Sequence, residues 1–164
     1  MVQVRVAGVA LDSSGGHVIL LKPMEDLSAE GRMVPIWIGE QEATSILIAV
    51  EGATPPRPLA HDLMRALLGT VGADVERVDI TRIDGGTFYA EITVTTGSGP
   101  RVVDARPSDA VALASRTGAP LFVADAVMEE AGVPAMLDGV EDEAEVVDEF
   151  KKFLDDVDPE EFGG

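Results

Sequence analysis

The chain contains no cysteine, which excludes disulfides, thiolate metal sites and cysteine nucleophiles. Histidine is nearly absent: only His17 and His61 are present, so any imidazole chemistry rests on one of two positions. Positive charge is scarce as well. Twelve Lys and Arg face 30 Asp and Glu, for a formal net charge of −18. From Asp138 to Gly164 twelve acidic residues meet two basic ones, a net of −10, and the first 137 residues carry the remaining −8. Neither part has the density of cations with which general nucleic-acid binders neutralise phosphates. Contact with a polyanion must therefore be local or bridged by a metal. No apolar run approaches the ~18 residues that suggest a membrane span. The start, Met-Val-Gln-Val-Arg-Val, lacks the charged region and apolar run of a signal peptide. These absences lead us to expect a soluble, cytoplasmic protein with no membrane partner.

What is present is enough for a core. With 164 residues, 46% of them hydrophobic, and a mean hydropathy of +0.17, the chain reads as one domain plus an appendage. We place the domain at residues 1–137 and the appendage at 138–164. In the appendage, Asp138–Glu145 is an acidic, solvated linker. Val146, Val147, Phe150, Phe153, Leu154 and Val157 then recur at helical spacing until Pro159. That is an amphipathic helix, whose apolar face would dock on its own domain or on a sister subunit.

The order of elements follows from periodicity and punctuation. Residues 2–11 alternate as a half-buried strand, Asp12–Gly16 is a turn, and His17–Lys22 completes a hairpin. A loop over Pro23–Arg32 leads to a strand at Met33–Ile38, in which Pro35 suggests an edge. Gly39 opens a helix over Glu40–Ala53, with Ala43, Ile46, Leu47 and Val50 as its inward stripe. Thr54-Pro-Pro-Arg-Pro58 is a stiff connector into a second helix, Leu59–Val71, with Leu59, Leu63, Ala66, Leu67 and Val71 at helical spacing. Strands at Asp74–Ile83 and Thr87–Thr96 are joined by Asp84-Gly-Gly86, a strong hairpin signal. A further strand begins near Arg101, followed by a helix at Ser108–Thr117, a strand after Pro120 and a short helix over Ala124–Ala131. Strands and helices do not strictly alternate. We therefore expect an α+β domain with a mixed, mostly antiparallel sheet packed against helices.

The helix after Arg106 organises this reading. Pro107 suits a first helical position, Ser108 and Asp109 can accept from the free amides behind it, and Gly118 can end the helix in the left-handed conformation. Its middle, Ala110-Val-Ala-Leu-Ala114, carries no charge, as in a helix buried on several sides. Arg106, Ser108 and Asp109 are thus presented at one fixed end.

Each polar candidate has two readings. His61 and Asp62 can cap the second helix, or His61 can act as acid or base and the pair can ligate metal. Glu40 and Glu42 suit a helix dipole, or can hold a hard cation such as Mg²⁺ or Mn²⁺. Two apart on a helix, with ~3.6 residues per turn, they point roughly 200° apart, so at most one faces a site. Arg106 can grip a phosphate bidentately, or pair with a nearby acid while Ser108 and Asp109 occupy the amides. If the site is catalytic, His61, Asp62, Arg106 and Asp109 are its catalytic candidates, and Glu40, Glu42, Asp62 and Asp109 its metal ligands. No phosphate loop, nucleophile elbow, zinc-binding helix or nucleotide fingerprint is present.

Four blocks carry a resemblance: Pro35-Ile-Trp-Ile-Gly-Glu-Gln-Glu-Ala43, Glu51-Gly-Ala-Thr-Pro-Pro-Arg-Pro-Leu-Ala-His-Asp-Leu63, Asp84-Gly-Gly-Thr-Phe-Tyr-Ala90 and Ala105-Arg-Pro-Ser-Asp-Ala-Val-Ala-Leu-Ala114. In this order, over about Val2 to Val133, they resemble the bifunctional nuclease family of bacteria and plants. The acidic tail looks like the extension on actinobacterial members. The resemblance implies a compact α+β domain that self-associates, a dimer being favoured, with the RNase and DNase activity attributed to plant members. Glu40, Glu42, His61, Asp62, Arg106, Ser108 and Asp109 are the matching polar positions, and Ala60 stands where many members carry threonine. Three readings stay open on the sequence: a phosphodiesterase acting on RNA or DNA with a divalent cation, a non-catalytic oligomeric module that binds a protein partner or small ligand, and a purely internal polar network.

Overall fold

We describe residues 1–25 and 31–134 of a computed structural model of the chain. The expected acidic linker and tail helix, and residues 26–30 of the loop over 23–32, lie outside the described residues. Eight strands and four helices follow in the order β1 (Val2–Leu11), β2 (His17–Pro23), β3 (Arg32–Ile38), α1 (Glu40–Val50), α2 (Ala60–Thr70), β4 (Asp74–Asp84), β5 (Thr87–Thr96), β6 (Gly99–Ala105), α3 (Pro107–Thr117), β7 (Leu121–Val123), α4 (Asp125–Ala131) and β8 (Val133–Pro134). The strands form one sheet in the order β6-β5-β4-β7-β1-β2-β3-β8. Only β4 and β7 run parallel; every other pairing is antiparallel. The fold is α+β with a mixed, mostly antiparallel sheet, as the element order led us to expect.

The connections explain this topology. Gly85 and Gly86 adopt φ of 55° and 80°, the left-handed pair that a two-residue hairpin needs, so β4 turns directly back into β5. Gly118, at φ 73°, ends α3 and lets the chain enter β7. The three-residue β7 then slots between β4 and β1, joining two antiparallel groups into one sheet.

Helix α3 is the centre of the helical layer. Pro107, Ser108 and all five residues from Ala110 to Ala114 are buried. α3 packs on β4 and β5 on one side and on α1 and α2 on the other. Charge-free sequence was the correct signal for burial here. The stripe expected on α1 needs correction: Ala43 and Ile46 are buried, but Val50 is 44% exposed and Ser45 takes a place among the buried residues. In α2 the change is larger. Leu63, Leu67 and Val71 are 52%, 58% and 76% exposed, and His61 is the helix's buried residue. α2 packs chiefly on α3; Leu68 turns toward the core, and Leu63, Leu67 and Val71 are left outside it.

The β1–β2 turn is held by one carboxylate. Asp12 Oδ1 accepts from the Ser14 amide (2.9 Å), the Ser14 hydroxyl (2.7 Å) and the Gly16 amide (2.7 Å), while Oδ2 accepts from Trp37 Nε1 (2.9 Å). Burial pushes the Asp12 carboxyl up, but the bonds from Trp37, Ser14 and Gly16 outweigh it and hold the group below its ordinary value. Asp12→Ala is expected to lower stability by about 2 kcal/mol, because it strips the acceptor from several part-buried donors at once. Urea unfolding checks this, and the Trp37 emission should shift in the folded state.

Candidate functional site

The first turns of three helices line one open cavity of about 750 Å³. α1 contributes Glu40, Gln41, Glu42, Thr44 and Ser45; Leu59 and α2 contribute the wall from residue 59 to His61 together with Met64; Arg106 and α3 contribute the rest through Asp109. The two proline-preceded starts, 45 positions apart from His61 to Arg106, therefore meet, because α1 and α2 both pack on α3.

A continuous chain of hydrogen bonds runs along this cavity. Ser45 Oγ lies 2.7 Å from His61 Nδ1, and His61 Nε2 lies 2.9 Å from Asp109 Oδ1. Asp109 Oδ2 accepts from Arg106 Nε at 2.8 Å, and Arg106 Nη2 reaches Glu42 Oε1 at 3.2 Å. The tautomer follows from the partners. An ionised carboxylate only accepts, so Nε2 carries the hydrogen, and in neutral imidazole Nδ1 then accepts from the Ser45 hydroxyl. Ser45 and His61 are buried, at 7% and 6% exposure, whereas the Arg106 side chain is 65% exposed. Two of the five N–H groups of Arg106 serve these two acids, which leaves others turned to solvent. A Cβ at Gly39 would meet Oε2 of Glu42, so a side chain there would displace this carboxylate, which folds back over the start of α1.

Burial pushes the Asp109 carboxyl up, but the hydrogen bonds from Arg106 and His61, and their charges, bring it below the usual carboxylate value of 3.8. Hydrogen bonding to Asp109 in turn raises the Arg106 guanidinium. The site therefore holds a carboxylate and a guanidinium as an ion pair, with imidazole between that pair and a hydroxyl.

The remaining sequence candidates sort differently. Asp62 does not line this cavity. Its Oδ2 accepts from the Leu59 amide at 2.8 Å, capping α2, and its Oδ1 accepts from Arg116 Nε at 2.7 Å. The Arg116 bond, followed by the Leu59 amide, lowers its pKa from 3.8. Ser108 is buried in the first turn of α3 and is not among the lining residues. The α3 amides are not capped by a side chain; Asp109 spends both oxygens on His61 and Arg106 instead. Sequence reasoning missed Ser45 altogether. The available signal was weak: a hydroxyl beside Thr44, one turn after Glu42, on the buried side of α1.

Glu40, Glu42, Asp62 and Asp109 do not converge as metal ligands. Asp62 faces Arg116, and both oxygens of Asp109 are engaged. Among the described residues no three His, Asp or Glu side chains group as a metal site. This donor set does not fit a resident divalent cation, which needs several free oxygen ligands around one point.

Residues 20–136 match the bifunctional nuclease domain. The chain belongs to that family. It is also similar to uncharacterized proteins from two strains of Mycobacterium tuberculosis, each 38% identical over 168 residues, an alignment that spans 99% of this chain and 98% of the relative. The bifunctional nuclease domain includes every residue of the hydrogen-bonded chain from Glu42 to Asp109. It makes a nuclease-like or nucleic-acid-binding module the family's suggestion for this protein. Among the described residues, no helix is long and apolar enough to cross a membrane.

A pH prediction follows from Asp62 and Asp109, the two lowered aspartates of the helical layer. The stability that each contributes is fully present above its unfolded value of about 3.8 and is lost as pH falls through the lower folded value. The melting temperature should therefore drop steeply below pH 3.8, and less steeply in Asp62→Asn and Asp109→Asn, each of which starts from a lower stability at neutral pH. Thermal melts across that range check it.

Proposed function

We propose that this protein hydrolyses phosphodiester bonds of RNA and DNA in the cytoplasm, at the cavity where α1, α2 and α3 begin. The observation that carries the reading is the unbroken path Ser45–His61–Asp109–Arg106 along an open cavity. Three helix starts add partial positive charge, which offsets part of the local acidity and favours a phosphate there.

Each group then has a role that its geometry permits. Arg106 holds a non-bridging phosphate oxygen with the N–H groups that Glu42 and Asp109 leave free, as guanidinium does well. Both nitrogens of His61 are engaged, so a proton from the cavity reaches the ring only through the Ser45 hydroxyl. A water held against Ser45 attacks phosphorus, passes its proton to Ser45, and the serine hydrogen moves to Nδ1. Asp109 keeps the imidazole in its tautomer and stabilises the imidazolium that forms, which is the general logic of hydroxyl–imidazole–carboxylate relays. The P–O bond to the leaving sugar breaks, the leaving oxygen takes up a proton from solvent in the open cavity, and His61 then returns its proton through Ser45 to water, which restores the starting state. No step uses a resident cation, since the carboxylates do not form a cage for one.

Ser45→Ala and His61→Gln are each expected to lower kcat on a labelled oligonucleotide by about 10²–10⁴-fold, with melting curves that show a folded protein. Arg106→Ala should chiefly raise KM. Cleavage should persist in EDTA. Activity that is indifferent to both Ser45→Ala and His61→Gln would sink the proposal and point to a contaminating nuclease.

One observation favours a second reading, a non-catalytic module that docks a second copy of itself: the exposed apolar row Leu59, Leu63, Leu67 and Val71 on and beside α2. If that row is a homodimer contact, sedimentation should show a dimer that the double variant Leu63→Asp, Leu67→Asp converts to monomer. A wild-type monomer refutes it.

A further inference from the structure

A second hollow, of about 420 Å³, lies beside the first. The end of α1 (Ile48, Ala49, then Gly52 and Ala53), the connector residues Pro55 and Pro58, the neighbouring face of α2 (Asp62 and Arg65) and the last turn of α3 (Ser115 and Arg116) line it, and it is open to solvent. Its size suits a small molecule. Proline at two wall positions fixes the backbone there, so the hollow is a stiff one, with apolar walls from Ile48, Ala49, Ala53 and both prolines.

Its charged end is unusual for this protein. The Arg116 side chain is only 4% exposed. Nε donates to Asp62 Oδ1 and Nη1 donates to the Ala112 carbonyl at 3.0 Å. Nη2 is buried and has no acceptor; it is the only such side-chain atom among the described residues. Buried N–H groups of a cation are ordinarily paired, and an orphan needs an explanation. Arg65 lines the same hollow and, among the described residues, takes part in no ion pair. Two arginines against one aspartate leave the lining one positive charge in excess, whereas the first cavity sets Glu40, Glu42 and Asp109 against Arg106. Near the end of α1 the carbonyls of Leu47, Ala49 and Ile48 accept from the amides of Glu51, Gly52 and Ala53, at 2.9, 3.2 and 3.0 Å.

We propose that this hollow is a binding site for a small monocarboxylate with an apolar body, separate from the phosphodiester site. One negative charge matches the single excess positive charge. The two oxygens of a carboxylate match two donors, the orphan Nη2 of Arg116 and the guanidinium of Arg65. The aliphatic and proline walls take the apolar body. A multiply charged phosphate has too few cations here to balance it. The assignment does not depend on the nucleic-acid reading, since none of its donors belongs to the Ser45–His61–Asp109–Arg106 path.

The test uses the full chain and benzoate as probe, with inorganic phosphate as the competing anion. Calorimetry should show saturable, one-to-one binding of benzoate, weakened by about tenfold or more in Arg65→Ala, a surface change that leaves the Arg116–Asp62 pair in place. Ala53→Trp, which fills the hollow, should abolish binding. His61→Gln should bind benzoate as the wild type does, so loss of the nuclease reading and loss of this one are told apart. The proposal is overturned by any of four results: no saturable benzoate binding; binding of phosphate in preference to benzoate; binding undiminished in Arg65→Ala; or a crystal grown with benzoate in which Nη2 of Arg116 meets only a water.

Discussion

The burial of α3 is the constraint on which the rest depends. A helix with Ala110, Val111, Ala112, Leu113 and Ala114 all inside can be covered on several sides only if a sheet and other helices approach it together. β4 and β5 cover one side, α1 and α2 the other. Small alanine side chains let neighbours come close, and close neighbours bring their first turns to the same rim. The position of the site is thus a by-product of packing: once α3 is enclosed, residues from three separated stretches share one cavity.

Electrostatics then decides what each polar residue does. In a chain of net charge −18, acids hold the arginines that the site depends on. Arg106 is shared between Asp109 and Glu42, and Arg116 is held by Asp62. The same competition keeps carboxylates apart. An aspartate that serves an arginine and a histidine has no oxygen to spare for a divalent ion, and this is why residues that read as metal ligands in the sequence form ion pairs in the fold. His61 and Asp62, adjacent in the chain, face different hollows because successive helical residues point ~100° apart. One completes a relay and the other caps its helix.

Much of the fold was legible because its signals are local. Alternation marks β1, Asp84-Gly85-Gly86 marks the β4–β5 hairpin, and Pro107 with Gly118 brackets α3. Local signals also misled where burial is not local. The apolar spacing of α2 looks like a core stripe, but whether a face is covered depends on what lies opposite, and α2 packs chiefly on α3. The two-residue β8 carries no periodicity to detect. Ser45 and Arg116 were invisible as site residues for the same reason. Each sits beside other polar residues with nothing local to single it out, and its importance comes from a partner 16 or 54 positions away.

The sequence by itself determined the class of fold, the helix starts, the acidity and the short roster of polar groups from which chemistry could be made, because these follow from periodicity, backbone restriction and composition. The blocks around Glu40, His61, Asp84 and Arg106 determined the family. Only the tertiary structure decided which groups meet: that Ser45 joins His61 and Asp109, that Asp62 turns away, and that a buried guanidinium keeps one N–H unsatisfied. Hydrogen bonds and ion pairs act over about 3 Å, and no pattern along the chain reports a distance that short between residues so far apart in it.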